Sequence, residues 1–215
     1  MGSFRLLNFA GDSGEVRPGI LVGGDTVVDL QRALPDVAWA ASTLSVLGAW
    51  DVALTALHDL AAKPPATTRA LKDVRLLAPL LYPPAIYCTG ANYMEHAQEM
   101  SAEKQGVDKA TTQPYLFLKS GPHCVIGPNA AIRLPNVSGK VDWEGEFAVV
   151  IGRRARNVKV ADAMNYVAGY TIMNDVSARD LSRRADWPRW VTDWFGHKNF
   201  ETSAPMGASP APVRK

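Results

Sequence analysis

Residues 141–151 read VDWEGEFAVVI, and residues 167–180 read VAGYTIMNDVSARD. In the first stretch Glu144 and Glu146 stand two apart in a run of strand character. Alternation along a strand puts both on one face and leaves Trp143, Gly145 and Phe147 on the other. From Ala148 to Ile151 the run is apolar without interruption, which predicts a strand buried on both faces. Neighbouring carboxylates repel, and burying them is costly unless a cation lies between them. Asp175 closes the second apolar run and supplies a third oxygen that could converge with the first two. Three hard carboxylates with no His or Cys alongside suit Mg²⁺ or Mn²⁺, with Ca²⁺ also compatible, rather than Zn²⁺ or Cu²⁺. An E-x-E pair also occurs on solvated sheet faces, but such a strand would keep alternating past Phe147.

Around these stretches the chain has the composition of a soluble globular protein, with 47% hydrophobic and 20% charged residues. Its 215 residues suffice for one sizeable domain and a small appendage. A net charge of +2 points neither to nucleic acid nor to an acidic partner. Cys88 and Cys124 lack metal-site or redox spacing and read as free thiols in a reducing compartment. The first residues carry too short an apolar stretch for a secretory signal, and Leu6 stands where a myristoylation signal needs Ser or Thr. No apolar run is long enough to span a bilayer. The expected location is the cytoplasm, with no membrane partner.

Strands are expected in residues 4–30, then a helix over 43–62 capped by Thr43 or Ser45. The Pro/Ala/Thr-rich stretch 62–73 reads as a break, dividing a small N-terminal β/α module, 1–70, from the main domain, 71–215. In the main domain, strands are expected at 82–90, 114–120, 130–135, 145–155 and 166–175. Helices are expected from Ala91, near Ala161 and over 176–185. Residues 101–113 are polar and read as a mobile loop able to act as a lid. The last residues, ASPAPVRK, read as an unstructured tail.

Several other side chains carry chemistry. His96 and Glu99 lie three apart on a helical stretch, where a carboxylate can hold an imidazole as a general base. Arg179, one turn after Asp175, could orient that ligand or grip an anionic substrate. Lys119 and Lys198 are candidates for holding a carbonyl or carboxylate. The segment 183–198 interleaves Arg183, Arg184 and Arg189 with Trp187, Trp190 and Trp194. Asp180 precedes it and Asp186 and Asp193 interrupt it, so an aromatic wall around a small substrate, or a subunit contact, fits better than nucleic acid. His58 and His123 read as structural.

Together, YPPAIYCTGANYMEHAQE, PYLFLKS, GPNAAIRLP, VDWEGEFAVVIGRRARNV, AMNYVAGYTIMNDVSARDL and GHKNFETSAPMG resemble the fumarylacetoacetate hydrolase family in order and spacing. The resemblance implies an α+β, β-rich fold: a mixed β-roll catalytic domain, in a homodimer. It implies Mg²⁺ or Mn²⁺ on Glu144, Glu146 and Asp175, and a His96–Glu99 dyad that activates water. It makes Lys198 the group polarising the substrate carbonyl, with Arg179 and Lys119 touching substrate oxygens. The implied reaction is C–C hydrolysis of a small β-diketo or 2-oxo acid through a metal-stabilised enolate. Isomerisation or decarboxylation on the same site is the alternative. The chain departs from the family pattern in carrying Ser182 three residues after Arg179, where many members have Gln. It also stops at Lys215 where the family continues with further strands, so the roll is expected to be incomplete at its C-terminal end. A non-catalytic metal-binding remnant is therefore a second reading.

Overall fold

The computed structural model describes residues 2–100, 108, 110–189, 192–207 and 211–212. The expected lid therefore lies largely outside the described residues, as do Trp190 and most of the expected tail.

The N-terminal strands β1 (Phe4–Ala10), β2 (Val16–Val22), β3 (Thr26–Asp29), β4 (Arg69–Ala70) and β5 (Leu76–Leu77) form one sheet in the order β4-β3-β2-β1-β5. Their pairings are antiparallel, with Phe4 opposite Val22 and Gly19 opposite Asp29. The sheet reaches past residue 70, because β5 pairs with β1. Phe4, Leu6, Ile20 and Val28 bury one face of it. Helix α1 (Leu30–Ala33) starts on Asp29, whose carboxylate accepts from the Gln31 and Arg32 amides and pairs with Arg17.

The stretch expected as one helix over 43–62 is two. Helix α2 (Thr43–Gly48) is capped by Ser42, one residue before the expected Thr43, and α3 (Trp50–Ala62) follows after Ala49. Gly48 costs a helix interior more than any residue but proline, so the break falls there. Trp50, Ala53, Leu57 and Ala61 form the buried stripe of α3.

The main domain begins with the hairpin-like pair β6 (Ile86–Gly90) and β7 (Tyr115–Lys119), joined antiparallel from Ile86–Lys119 to Gly90–Tyr115. Between them Ala91, at φ 52°, makes the tight turn that precedes α4 (Met94–Met100). Helix α5 (Gly121–Cys124) and β8 (Val125–Ile126) follow. Residues 130–135 are not a strand as expected, but irregular chain. Next come β9 (Val141–Asp142), β10 (Gly145–Ile151) and β11 (Val167–Asn174), with Gly145 opposite Asn174. A seven-residue 3₁₀ stretch, Val160–Tyr166, precedes β11.

After Asp175 the expected helix over 176–185 is replaced by strand β12 (Ser177–Ala178), paired with β9, and a 3₁₀ turn at Arg179–Leu181. The reason is Ser177, whose hydroxyl bonds the Asp175 carbonyl and the Glu144 carboxylate and so competes with helical pairing. Helix α6 (Trp194–Lys198), β13 (Ala204–Pro205) and β14 (Ala211–Pro212) are the last described elements. Strand β13 pairs in parallel with β8, and β14 pairs with β11.

Strand β10 corrects another expectation. Val150 is buried, but Phe147, Val149 and Ile151 are 49–59% exposed. The strand is at the edge of a sheet ordered β10-β11-β14, and its outer face is uncovered among the described residues. One buried cluster nonetheless joins the two parts of the chain. Phe4, Ile20, Trp50 and Leu57 pack in the same core as Val150, Ala168, Met173 and Ala204. At Gly152 an added Cβ would lie 2.7 Å from Ala168 Cβ and 3.1 Å from Trp50 Cδ1, so only glycine permits this contact between α3 and the main sheet. Asn8, also buried, donates through Nδ2 to the Ala78 and Pro79 carbonyls and to Thr43 Oγ1. Among the described residues no helix is long and apolar enough to cross a membrane.

Candidate active site

The chain brings Glu144 and Asp175 to one point, and Lys198 stands between them. Glu144 immediately precedes β10, and Asp175 immediately follows β11; the Asp175 amide donates to the Glu144 carbonyl at 2.8 Å. Lys198 Nζ donates to Glu144 Oε2 and to Asp175 Oδ2, each at 2.7 Å. The other Glu144 oxygen accepts from Ser177 Oγ at 2.9 Å and pairs with Arg179 at 2.7 Å. Arg179 also holds Asp142, so it bridges the strand ends rather than pairing with Asp175.

Lys119 lies beneath Asp175, its side chain fully buried and its Nζ 2.7 Å from Asp175 Oδ1. Its Nζ donates to the Val176 and Lys198 carbonyls. Burial pulls the Lys119 ammonium below its usual range, and Asp175 opposes that pull.

The two lysines are fixed by aromatic packing. Trp194, the first residue of α6, stacks on Phe117 of β7 at 4.4 Å and donates from Nε1 to Tyr115 Oη at 3.0 Å. That contact clamps α6 on β7, so Lys198 and Lys119 approach Asp175 from two elements held together. Lys198 Nζ lies 5.1 Å from the centre of the Phe117 ring.

Glu146 is half-buried on β10. Burial raises its carboxyl above the usual range; the Tyr93 hydroxyl lowers it, and the nearby charges of Asp175 and Glu144 raise it further. Tyr93 Oη also accepts from the Phe147 amide at 3.3 Å, tying the turn before α4 to β10. His96 is half-buried on α4. Glu99 shares that helix, and its side chain lies outside the described residues.

Among the described residues no three acidic, His or Cys side chains are gathered into a metal-binding group. Lys198 fills the point where Glu144 and Asp175 meet, and Glu146 stands apart. The charge balance still suits a divalent cation. Lys119, Lys198 and Arg179 face Asp142, Glu144, Glu146 and Asp175, leaving one carboxylate in excess. All the donors are hard oxygens of the kind Mg²⁺ and Mn²⁺ prefer.

Two site neighbours were not among the sequence candidates. Cys88 borders the cluster, and burial and Asp175 push its thiol up to about 12, so it is no nucleophile. His197 is only 4% exposed, neither ring nitrogen has a hydrogen-bond partner among the described residues, and burial and Lys198 hold its pKa down to about 4. Its position beside Lys198 was the available signal, but nothing local shows that its ring turns inward.

The profile "Fumarylacetoacetate (FAA) hydrolase C-terminal" matches residues 85–213. The chain belongs to the fumarylacetoacetate hydrolase family. It is 35% identical to the mitochondrial oxaloacetate tautomerase of Xenopus laevis, over 99% of this chain and 62% of that protein. The chain thus spans about three fifths of that curated relative. Among solved structures, a fumarylacetoacetate hydrolase from psychrophilic Exiguobacterium antarcticum superposes with TM-score 0.70 and 29% identity, covering 98% of this chain and 67% of that one. A 5-carboxymethyl-2-hydroxymuconate delta-isomerase from Mycobacterium smegmatis superposes with TM-score 0.67 and 31% identity, covering 98% and 67%. The fold is α+β, strand-rich and of fumarylacetoacetate hydrolase type.

Proposed function

We propose that this chain catalyses keto–enol interconversion of a small 2-oxo acid. The observation that carries the reading is the buried cluster in which Lys198 bridges Glu144 and Asp175 while Lys119 supports Asp175 from below. Such a cluster holds cations in fixed positions where negative charge can develop on a carbonyl oxygen, with little reorganisation during reaction. Lys198 is placed to polarise that oxygen, and Arg179 and Lys119 set the direction of the carboxylates around it. A divalent cation held by Glu144, Glu146 and Asp175, with Mg²⁺ or Mn²⁺ the best match to these donors, would supply Lewis-acid stabilisation of the enolate oxygen. His96, on the helix tied through Tyr93 to β10, is the base that takes the proton from the carbon next to the carbonyl. Returning a proton to the enolate oxygen gives the enol, and the reverse sequence gives the ketone, so atoms and charge balance. The Xenopus and Mycobacterium relatives, by name a tautomerase and an isomerase, support this direction.

Hydrolysis of a C–C bond is the second reading, favoured by the name of the Exiguobacterium relative and by His96 and Glu99 sharing α4. It uses the same enolate as leaving group after water adds to a distal carbonyl. The test is to follow enol absorbance and C3 deuterium exchange of oxaloacetate and acetylpyruvate with Mg²⁺ or Mn²⁺, alongside release of pyruvate. Accelerated exchange without pyruvate release is expected. Pyruvate release from acetylpyruvate selects hydrolysis, and no acceleration of either substrate overturns both readings.

A further inference from the structure

Lys198 has two uses that it cannot serve at once. As the group that polarises a substrate carbonyl it needs a free N–H, yet its ammonium is committed to Glu144 Oε2 and Asp175 Oδ2, each at 2.7 Å. It also stands at the point where those two carboxylates meet, which a cation shared between them would have to occupy. The other oxygens of the pair are taken as well. Glu144 Oε1 pairs with Arg179 at 2.7 Å, and Asp175 Oδ1 with Lys119 at 2.7 Å. A divalent ion added to this arrangement would lie against an ammonium, and like charges in a buried site repel with little screening.

The three cationic side chains are not held equally. Lys119 is fully buried and also donates to the Val176 and Lys198 carbonyls. Arg179 is held by Asp142 as well as by Glu144. Among the described residues, Lys198 Nζ donates only to the two carboxylates, and the proposed cation site uses both of them. Its stem is a flexible four-carbon chain. The Phe117 ring, 5.1 Å from Nζ, gives the ammonium an aromatic face within cation–π range. Lys198 is therefore the member of the cluster that can give way. Once it does, a buried ammonium is left without an anionic partner, which is costly. An anionic oxygen of the substrate removes that cost.

We propose that Lys198 is a displaceable counter-ion. It holds Glu144 and Asp175 together until a divalent cation takes its place, and the displaced ammonium then receives the substrate's anionic oxygen. Lys198 is thus delivered to the substrate only in metal-loaded protein. The displacement rests on the cation site proposed above.

The test is calorimetric titration of MgCl₂ into the unaltered protein, Lys198→Met and Arg179→Met, at about 0.15 M salt so that exposed charges are largely screened. Lys198→Met is expected to bind Mg²⁺ at least about tenfold more tightly than the unaltered protein, because the competitor is gone. Arg179→Met removes a charge from the same Glu144 without clearing the meeting point, and should change the affinity by less than about threefold. A second measurement needs no variant: mild acetylation of lysines, read by mass spectrometry. Lys198 is 2% exposed and should react slowly without metal, several-fold faster with MgCl₂, and slowly again with MgCl₂ and oxalate together. Lys119, also 2% exposed, should stay unreacted throughout. Mg²⁺ affinity in Lys198→Met no higher than in the unaltered protein, an equal gain in both variants, acetylation of Lys198 that MgCl₂ does not raise, or no Mg²⁺ binding to either form would overturn the displacement. Both positive results without C3 deuterium exchange would leave the displacement standing and sink the proposed reaction. C3 exchange without them would do the reverse.

Discussion

Replacing Lys119 with Met tests whether the buried cluster is built as described. The side chain is fully buried, pairs with Asp175 and donates to two backbone carbonyls. Methionine keeps the unbranched stem and much of the volume, so packing changes little. What is lost is the ammonium, leaving the Val176 carbonyl without its donor and Asp175 with Lys198 alone. Removing one partner of a buried ion pair costs about 3–5 kcal/mol, because the other charge stays buried without compensation. For a chain of this size that predicts a Tm lower by roughly 6–20 °C. Urea unfolding followed by circular dichroism gives the loss directly, provided the m value is unchanged. Asp175→Asn should be costly for the same reason, and the double variant should recover about 1–3 kcal/mol of the summed loss. A Lys119→Met loss below about 1 kcal/mol, or strict additivity with Asp175→Asn, would refute the pairing.

Three other outcomes are expected. Glu146→Gln removes the excess carboxylate, so it should leave Tm without added metal nearly unchanged and weaken Mg²⁺ or Mn²⁺ binding by at least about tenfold in calorimetry. His197, with its pKa down at about 4, stays neutral in the fold while the unfolded chain protonates near 6.5. Its contribution is therefore complete above pH 6.5 and is lost as pH falls from 6.5 towards 4; it amounts to roughly 1–2 kcal/mol after solvent screening, and urea titrations of His197→Phe should lack that loss. His96→Ala should lower turnover about 10²–10⁴-fold with little change in metal affinity. Turnover near that of the unaltered protein would return His96 to a supporting role on α4.

Strand alternation led to Glu144 and Glu146 on one face, but Glu144 lies just before β10, and it meets Asp175 across Lys198 while Glu146 stands apart. What sits between the carboxylates was not legible from spacing. Lys198 reaches Glu144 from 54 residues away and Asp175 from 23, and only the family resemblance assigned it a role. The unbroken apolar run Ala148–Ile151 suggested burial on both faces, but hydropathy cannot tell a central strand from an edge strand whose outer face is bare. The helix expected after Asp175 failed because Ser177 spends its hydroxyl on local and cross-strand bonds, a choice set by where Glu144 lies. Among the helices, the cap at Ser42 rather than Thr43 is a one-residue shift of the sort terminal assignments allow.

The latch formed by Asn8, together with the core that Phe4 and Trp50 share with Val150 and Ala204, bears on how the chain would respond to a protease. Residues 63–68 are mostly exposed and carry Pro64 and Pro65, so a cut is accessible there. Cleavage there would not release an independent N-terminal piece. The two fragments would remain bound through a common interior, as a split protein does, and would part only under conditions that unfold the whole. Expressed separately, each would present half of that interior to water and gain solubility only on meeting the other.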